Sequence, residues 1–430
     1  MKILRRKNKT QPANLLRILS RNPAPNPALE KTVSAILKDI SKNGDRALLR
    51  LTKKFGGPDL TREQIYVTPA EIASARQSLE KPVLAAIAAA KKNVLAFAKK
   101  SLRKSWFHKN AQGAIVGERF DAFDRVGIYI PGGTAPLVST AVMTCTLALA
   151  AGVREVVAVT PAGPEGLVHP ALLTALSECG ATEVYRAGGA QAIASLAFGT
   201  ESIRPVRKIF GPGNAYVVEA KRQVFGTVAI DLLPGPSEVL VIADKDANPD
   251  WVAADLLAQC EHGHGSVGIL LTDSSKLLTA VEKSIARQVK QSRRPKELQL
   301  ALENTQLVEV ADMQEAVQLA NAFASEHVSI ATARPGEISL NLTTSGAIFL
   351  GGISPVVAGD FLAGPSHELP TGGAGKSFAG LTADQFQRRT SILMFDEPSL
   401  RASLPHLETF GAIEGLDAHA RSASIRLKKK

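Results

Sequence analysis

From Val126 onward the sequence alternates short apolar runs, glycine-rich turns and helix-like stretches, and this alternation limits the fold more than any other feature. Gly127-Ile-Tyr-Ile130 runs into Pro131-Gly-Gly133, and Glu155-Val-Val-Ala-Val-Thr160 into Pro161-Ala-Gly-Pro164. Glu183-Val-Tyr185 leads to Ala187-Gly-Gly-Ala190, and Lys208-Ile-Phe210 to Gly211-Pro-Gly-Asn214. The pattern resumes with Glu238-Val-Leu-Val-Ile-Ala243, Gly268-Ile-Leu-Leu-Thr272, Val328-Ser-Ile-Ala331 and Ala347-Ile-Phe-Leu-Gly-Gly352. Strands alternating with helices predict parallel βαβ units and an α/β fold. A chain of 430 residues exceeds one simple core, so two or three domains are expected. The echo between 347–352 and 127–133 hints at two related α/β halves.

The flanks have a different texture. The first 25 or so residues are polar and close on Asn22-Pro-Ala-Pro-Asn-Pro27, which predicts an arm or linker. Residues 29–40 and 82–100 carry helical patterns rich in Ala, Leu and Lys. Asp312-Met-Gln-Glu315 has capping-box form before a helix. After about 385 the strand texture stops, and two helices are expected near 405–413 and 418–427, with Asp417 as N-cap. So short a tail buries little core alone, so it is expected to lie on the body or on a partner subunit.

The net charge of +11 is confined to the ends. Residues 1–10 and 421–430 together hold ten cations and no acid, so the 410 residues between them carry only +1. No basic face with a recognisable module follows, and nucleic acid is not an expected partner. Residues 126–153 are uncharged and long enough to span a bilayer. Their Pro-Gly-Gly turn and threaded Ser and Thr instead predict a buried strand, a loop and a buried helix. Cys145, Cys179 and Cys260 are odd in number and lack C-x-x-C spacing. They indicate neither a disulfide framework nor a thiolate metal site. With no apolar run behind the basic N-terminus, the expected location is the reducing cytoplasm.

Chemistry concentrates in a few polar segments. Gln259 and His262 stand three apart at the end of a predicted helix, after the cap signal Asn248-Pro-Asp250 and before Gly263. That spacing puts an amide and an imidazole on one face, which is either half a metal site or an ordinary helix end. Histidine is scarce, with eight in all. Ser325-Glu326-His327 falls at a helix-to-strand junction, where chain ends point into clefts of α/β sheets. Asp360 and His367 sit in a Gly/Pro-rich loop, a poor core element and a good site-former. Cys260 is expected to pack, because it points about 100° away from Gln259 on a helix. On these residues alone, a metal-dependent hydrolase with Glu326 as general base is a serious candidate.

Taken in order, several segments resemble the histidinol dehydrogenase family along nearly the whole chain. They are Val126-Gly-Ile-Tyr-Ile-Pro-Gly-Gly133, Ala187-Gly-Gly-Ala-Gln191 and Lys208-Ile-Phe-Gly-Pro-Gly-Asn214. Gly235-Pro-Ser237-Glu, Gln259-x-Glu-His262-Gly, Ser325-Glu326-His327 and Ala363-Gly-Pro-Ser-His367-Glu-Leu-Pro-Thr-Gly-Gly373 follow, and the tail adds Glu414 and His419.

The resemblance implies two related, incomplete Rossmann-like domains with helical arms at both ends. Its division is an N-terminal arm over 1–26, a first α/β domain from 27–126 with 239–384, a second from 127–238, and a C-terminal arm over 385–430. It implies a zinc-requiring, NAD-dependent enzyme that oxidises L-histidinol to L-histidinal and then to L-histidine, the last steps of histidine biosynthesis, using two NAD⁺. A sister dehydrogenase of another amino or sulfonated alcohol is the nearest alternative.

Gln259, His262, Asp360 and His419 match the family's zinc ligands, and Glu326 and His327 its acid/base residues. Ser237, His367 and Glu414, with His327 and the zinc-site residues, match substrate contacts. Tyr129, Gln191 and Asn214 match cofactor contacts, although none of the three lies in a G-x-G-x-x-G motif. The family pattern is a homodimer whose C-terminal arm completes the neighbour's site. An amide oxygen, two imidazoles and a carboxylate suit Zn²⁺ and also accept Mn²⁺ or Co²⁺. One local departure is Glu368, an added charge beside His367.

Overall fold

The computed structural model describes residues 1–5, 26–132, 136–263, 265–293 and 295–428. Their strands, in chain order, are β1 (Lys2–Leu4), β2 (Trp106–Lys109), β3 (Ile115–Ala122), β4 (Arg125–Tyr129), β5 (Glu155–Thr160), β6 (Glu183–Arg186) and β7 (Lys208–Phe210). They continue as β8 (Ala229–Ile230), β9 (Glu238–Ala243), β10 (Val267–Thr272), β11 (Gln306–Glu309), β12 (His327–Ala331), β13 (Ala347–Leu350) and β14 (Gln387–Met394).

Two parallel sheets carry the fold. One runs β6-β5-β4-β7-β8 and the other β1-β11-β10-β9-β12-β13. In each, the first strand of the unit is central, the next two extend one edge and the last two the other. That shared order is the doubly wound pattern, and β1 adds a sixth strand to the second sheet. The two related halves expected from the sequence are therefore present. Their correspondence pairs β4 with β9, however, and not with β13, whose Ala347-Ile-Phe-Leu run echoes β4 but occupies a sheet edge.

Burial follows from strand periodicity. β9 is apolar after Glu238 and wholly buried, as parallel strands covered on both faces must be. Val239, Val241 and Ala243 face the helices Pro249–Cys260 and Ser275–Gln291, while Leu240 and Ile242 face the helix Met313–Phe323. In the first sheet, Val156 and Ala158 lie in one core cluster and Val157 and Val159 in the other. The uncharged stretch 126–153 resolves into buried β4 and the helix Val138–Ala151, itself buried over Thr140–Ala148. No helix among the described residues is long and apolar enough to cross a membrane.

Three expectations change. Residues 2–4 are not part of a free arm, because β1 pairs in parallel with β11; residues 6–25 of that expected arm lie outside the described residues. The helices of 27–101 join the core of the five-stranded sheet rather than grouping with 239–384. The helix Pro27–Lys54 lays Val33, Ile36, Leu37, Ile40, Leu48 and Leu51 against Gly189–Phe198 and Ala215–Val224, and Lys81–Ser101 packs on Val138–Ala151. Strand structure also continues past 385, where β14 pairs antiparallel with β3 along eight residues and β2 completes a three-stranded sheet.

The tail then forms the helices Glu397–Glu414 and Asp417–Ser424. Pro405 lies inside the first helix instead of opening it. Leu416, not Asp417, is the cap of the second.

Candidate active site

A cavity of about 480 Å³ lies between the two sheets. Leu137, Ser139, Thr140, Pro212 and Gly213 reach it from the carboxyl end of the five-stranded sheet. Ser237, Glu326 and His327 reach it from the amino end of the six-stranded sheet, and His262, Asp360, His367 and Glu368 come from loops and short helices around it. The helix-to-strand junction at 325–327 therefore meets the cleft at the start of a strand, opposite to the carboxyl-end rule that flagged it.

His327 opens β12 and Glu326 precedes it; both are more than nine-tenths buried. The turn before them contains Ala324 at φ 54°, the one non-glycine residue with positive φ among those described. Such a conformation is strained for alanine and swings the chain from the helix Met313–Phe323 into the strand. Glu238, heading β9 beside β12, organises both side chains through its backbone. Its N–H donates to Glu326 Oε2 at 2.8 Å, and its carbonyl lies 3.0 Å from His327 Nδ1. A carbonyl can only accept, so Nδ1 carries the proton and Nε2 faces Asp360 Oδ1 at 3.5 Å.

Burial in this cleft raises Glu326 to about 7, against the opposing pull of His327 and the Glu238 N–H. Burial alone would depress His327. Asp360 and Glu326 outweigh it and lift the imidazole to about 9. Asp360 is held below the ordinary carboxylate value, since the His327, His367 and His262 rings overcome its own burial.

The predicted metal donors divide. Asn248 caps the helix Pro249–Cys260 as expected, accepting from Asp250 N at 2.8 Å. Gln259 lies in its last turn and is 3% exposed, and Nε2 has no hydrogen-bond partner among the described residues. His262 lies beyond the helix, in the turn that ends at Gly263 with φ 121°. It lines the cleft with Asp360. Burial holds His262 below its ordinary value despite the nearby Asp360 charge. Among the described residues no three His, Cys, Asp or Glu gather as a metal cluster. His419 and Glu414 lie exposed on the C-terminal helices; no hydrogen bond or ion pair among the described residues joins either to the cleft.

A buried amide with an unmatched polar atom, an imidazole and a carboxylate still suit a borderline cation. The oxygen and nitrogen of an amide exchange by a flip, so the unmatched Gln259 atom fits an oxygen turned to a metal.

His367 also faces the cleft, with Nδ1 2.9 Å from the Asp360 carbonyl and Nε2 3.2 Å from Thr140 Oγ1. Cys260 is fully buried, 3.5 Å from Thr305 Oγ1, and burial pushes its thiol up. That is the packing role expected of it.

A second cavity, about 380 Å³, is lined by Tyr129, Gln191 and Asn214, the three residues matched to cofactor contacts. The starts of the helices Gly189–Phe198 and Ala215–Val224 border it, and helix N-termini favour anions. Asn214 Oδ1 is already used, capping Tyr216 N and Val217 N, and Tyr129 Oη accepts from Gly189 N. What remains for a ligand is the Asn214 amide N–H₂ and the Tyr129 hydroxyl proton. Neighbouring residues line the two cavities: Pro131 one and Gly132 the other, Gly213 one and Asn214 the other.

Sequence reasoning missed Glu238 and Thr140. The signal for Glu238 was a lone acid at the head of an otherwise apolar strand. Thr140 offered none, lying in the uncharged helix among other small polar residues.

Paired doubly wound sheets, with a buried imidazole–carboxylate pair in the cleft between them, define an α/β enzyme equipped for proton transfer. The comparisons narrow that class. The family model described as histidinol dehydrogenase matches residues 19–427. The histidinol dehydrogenase of Agrobacterium fabrum is 44% identical over 397 residues, 92% of each chain. That of Geobacillus kaustophilus is 41% identical over 400 residues, 93% of this chain and 94% of its own. The crystal structure of histidinol dehydrogenase from Elizabethkingia anophelis superposes with a TM-score of 0.94 at 33% identity, covering 99% of this chain and 98% of that one. An acetylating aldehyde dehydrogenase from Geobacillus thermoglucosidasius shares the fold alone, with a TM-score of 0.50 at 14% identity over 86% of this chain and 97% of its own. The chain belongs to the histidinol dehydrogenase family, and it is an oxidoreductase.

Proposed function

We propose that this enzyme carries out the zinc-dependent, NAD-linked oxidation of L-histidinol to L-histidine through L-histidinal, closing histidine biosynthesis. The supporting observation is the way Glu238's backbone orients Glu326 and His327 toward one cleft that also holds His262, Asp360 and His367. In each oxidation a proton must leave an oxygen as hydride leaves carbon, and the neutral form of His327, reached as pH rises toward about 9, is the candidate acceptor through Nε2 because Nδ1 is fixed as a donor. Between the two oxidations the aldehyde must be hydrated, and Glu326, lifted toward neutrality by burial, suits the activation of that water.

Gln259, His262 and Asp360, with His419 from a neighbouring subunit, would hold zinc, which supplies a Lewis-acidic anchor for the amine and imidazole of the substrate. Ser237 and His367 border the same cleft and, with Glu414 of the neighbouring tail, would position the substrate. Tyr129, Gln191 and Asn214 would hold NAD⁺, the hydride acceptor, across the Pro131–Gly132 and Gly213–Asn214 boundary. The test is NADH formation from L-histidinol by the purified enzyme, before and after chelation and after zinc is returned. Activity lost on chelation and restored by zinc supports the reading. No NADH from histidinol in the zinc-loaded enzyme defeats it.

A further inference from the structure

The cleft has one carboxylate that this chemistry does not use. Glu368 is 7% exposed and borders the cavity. Its backbone is fixed at both ends, N–H to Ser366 Oγ at 3.2 Å and carbonyl from Leu381 N at 2.8 Å. Its side chain is held differently. Oε1 makes no hydrogen bond among the described residues and stands 3.5 Å from His367 Nε2, within ion-pair range only. Glu326, by contrast, is engaged by the Glu238 N–H, and Asp360 by His327.

A buried carboxylate oxygen lacking a hydrogen-bond donor is costly, and it is relieved when a ligand brings a cation or a donor. The cavity lining favours such a ligand. Three carboxylates and three imidazoles face it, and no lysine or arginine does among the described residues.

We propose that Glu368 is a specificity-determining residue, whose carboxylate beside His367 favours ligands carrying a cationic amine and disfavours those carrying a carboxylate, the product included. The choice of ligands rests on the functional reading above. Substrate and product share an imidazole and an amine. They differ in that oxidation converts a neutral carbinol into an anion, so a fixed negative charge in the cleft acts mainly on the product and promotes its release. In a low-dielectric cleft such a charge acts over several ångströms.

The experiment measures binding of histamine and of L-histidine to the zinc-loaded enzyme by titration calorimetry, for wild type, Glu368→Gln and Glu368→Asp. In Glu368→Gln the preference for histamine over histidine should fall by about tenfold, equivalent to about 1.4 kcal/mol. Glu368→Asp should keep the wild-type preference. An unchanged preference in Glu368→Gln overturns the proposal. Should that variant fail to fold, wild type alone decides: histamine should inhibit histidinol oxidation at least about tenfold more tightly than 4-imidazoleacetate, and equal potency overturns the proposal. Wild-type enzyme that makes no NADH from histidinol defeats the functional reading and this proposal together. Normal turnover with an unaltered preference defeats this proposal alone.

Discussion

The backbone N–H of Glu238 donates to Glu326 while its carbonyl accepts from His327, so one residue of β9 sets the direction of two side chains on the adjoining strand. Each has a separable consequence. His327→Asn should lower turnover of both histidinol and histidinal by at least about a hundredfold, the ordinary scale of a lost general base. Glu326→Gln keeps the shape and the hydrogen bond to Glu238 but not the basicity. It should slow histidinal oxidation by a similar factor and histidinol oxidation much less. Supplying each substrate separately and following NADH separates the two, and a Glu326→Gln enzyme that oxidises histidinal at the wild-type rate removes Glu326 from the assignment. At this scale much was readable, because Gln259, His262, Glu326, His327, Asp360 and His367 carry side chains whose chemistry announces itself. Glu238 was not, because it acts on the pair through atoms that every residue possesses.

Short peptide likeness misled where strand order did not. Ala347-Ile-Phe-Leu-Gly-Gly352 echoes residues 127–133, yet one is an edge strand and the other central; a few apolar residues before glycines encode a βα turn, not a position in a sheet. β14 escaped notice for a related reason. Its Gln-Arg-Arg-Thr-Ser-Ile-Leu-Met sequence is at most half-buried on either face, so the period-2 alternation that marks a one-sided strand never develops.

What fixes these elements in place is ionic as well as apolar. Lys221, on the helix Ala215–Val224, and Asp231, just past β8, form a buried pair exposed by 0% and 3%. Lys221 Nζ donates to the Gly211 carbonyl at 2.8 Å, and Asp231 Oδ2 accepts from Gly211 N at 2.7 Å. Gly211 has φ 108°, and a Cβ there would meet the Tyr129 carbonyl oxygen at 2.1 Å. The pair thus clamps a loop that no other residue type fits. Lys221→Met should destabilise the chain by about 3–5 kcal/mol, because it leaves Asp231 buried and unpaired. Adding Asp231→Leu should recover part of that loss in denaturant unfolding. A single variant as stable as wild type would show that the clamp is dispensable.

A second cluster joins the starts of three neighbouring strands. Arg125 of β4 holds Glu183 of β6 in two hydrogen bonds of 2.6 and 2.8 Å and Glu155 of β5 in one of 2.8 Å. The Arg125 guanidinium pulls Glu183 below its ordinary 4.5. A depressed carboxylate contributes stability that is full above its unfolded value and is lost as pH falls through the lower folded one. The wild-type melting temperature should therefore drop steeply below about pH 4.5. In Arg125→Met, already less stable at neutral pH, that acid limb should be shallower. Parallel limbs in the two proteins would place the acid sensitivity elsewhere.

At the scale of the molecule, the cleft gathers donors from both sheets but not from the tail. β14 anchors the tail to β3, after which Leu407, Phe410 and Ile413 stand open on its first helix and Leu416 at the cap of its second. An apolar surface of that kind is what a partner subunit covers. The family resemblance implies that His419 and Glu414 serve the neighbour's site, and in this chain both lie exposed, away from its own cleft. If each tail serves the neighbour, lesions in body and tail must complement between subunits. His327→Asn damages a body and His419→Asn damages a tail, so each homodimer has two defective sites. In a mixed dimer, one site combines both lesions, and the other combines an intact body with an intact tail. After subunit exchange between equal amounts of the two variants, half the dimers are mixed and half their sites are whole. About a quarter of wild-type activity should then return, as the two-fold symmetry of such an interface requires. If each tail instead serves its own body, no mixed dimer contains an intact site and mixing restores nothing.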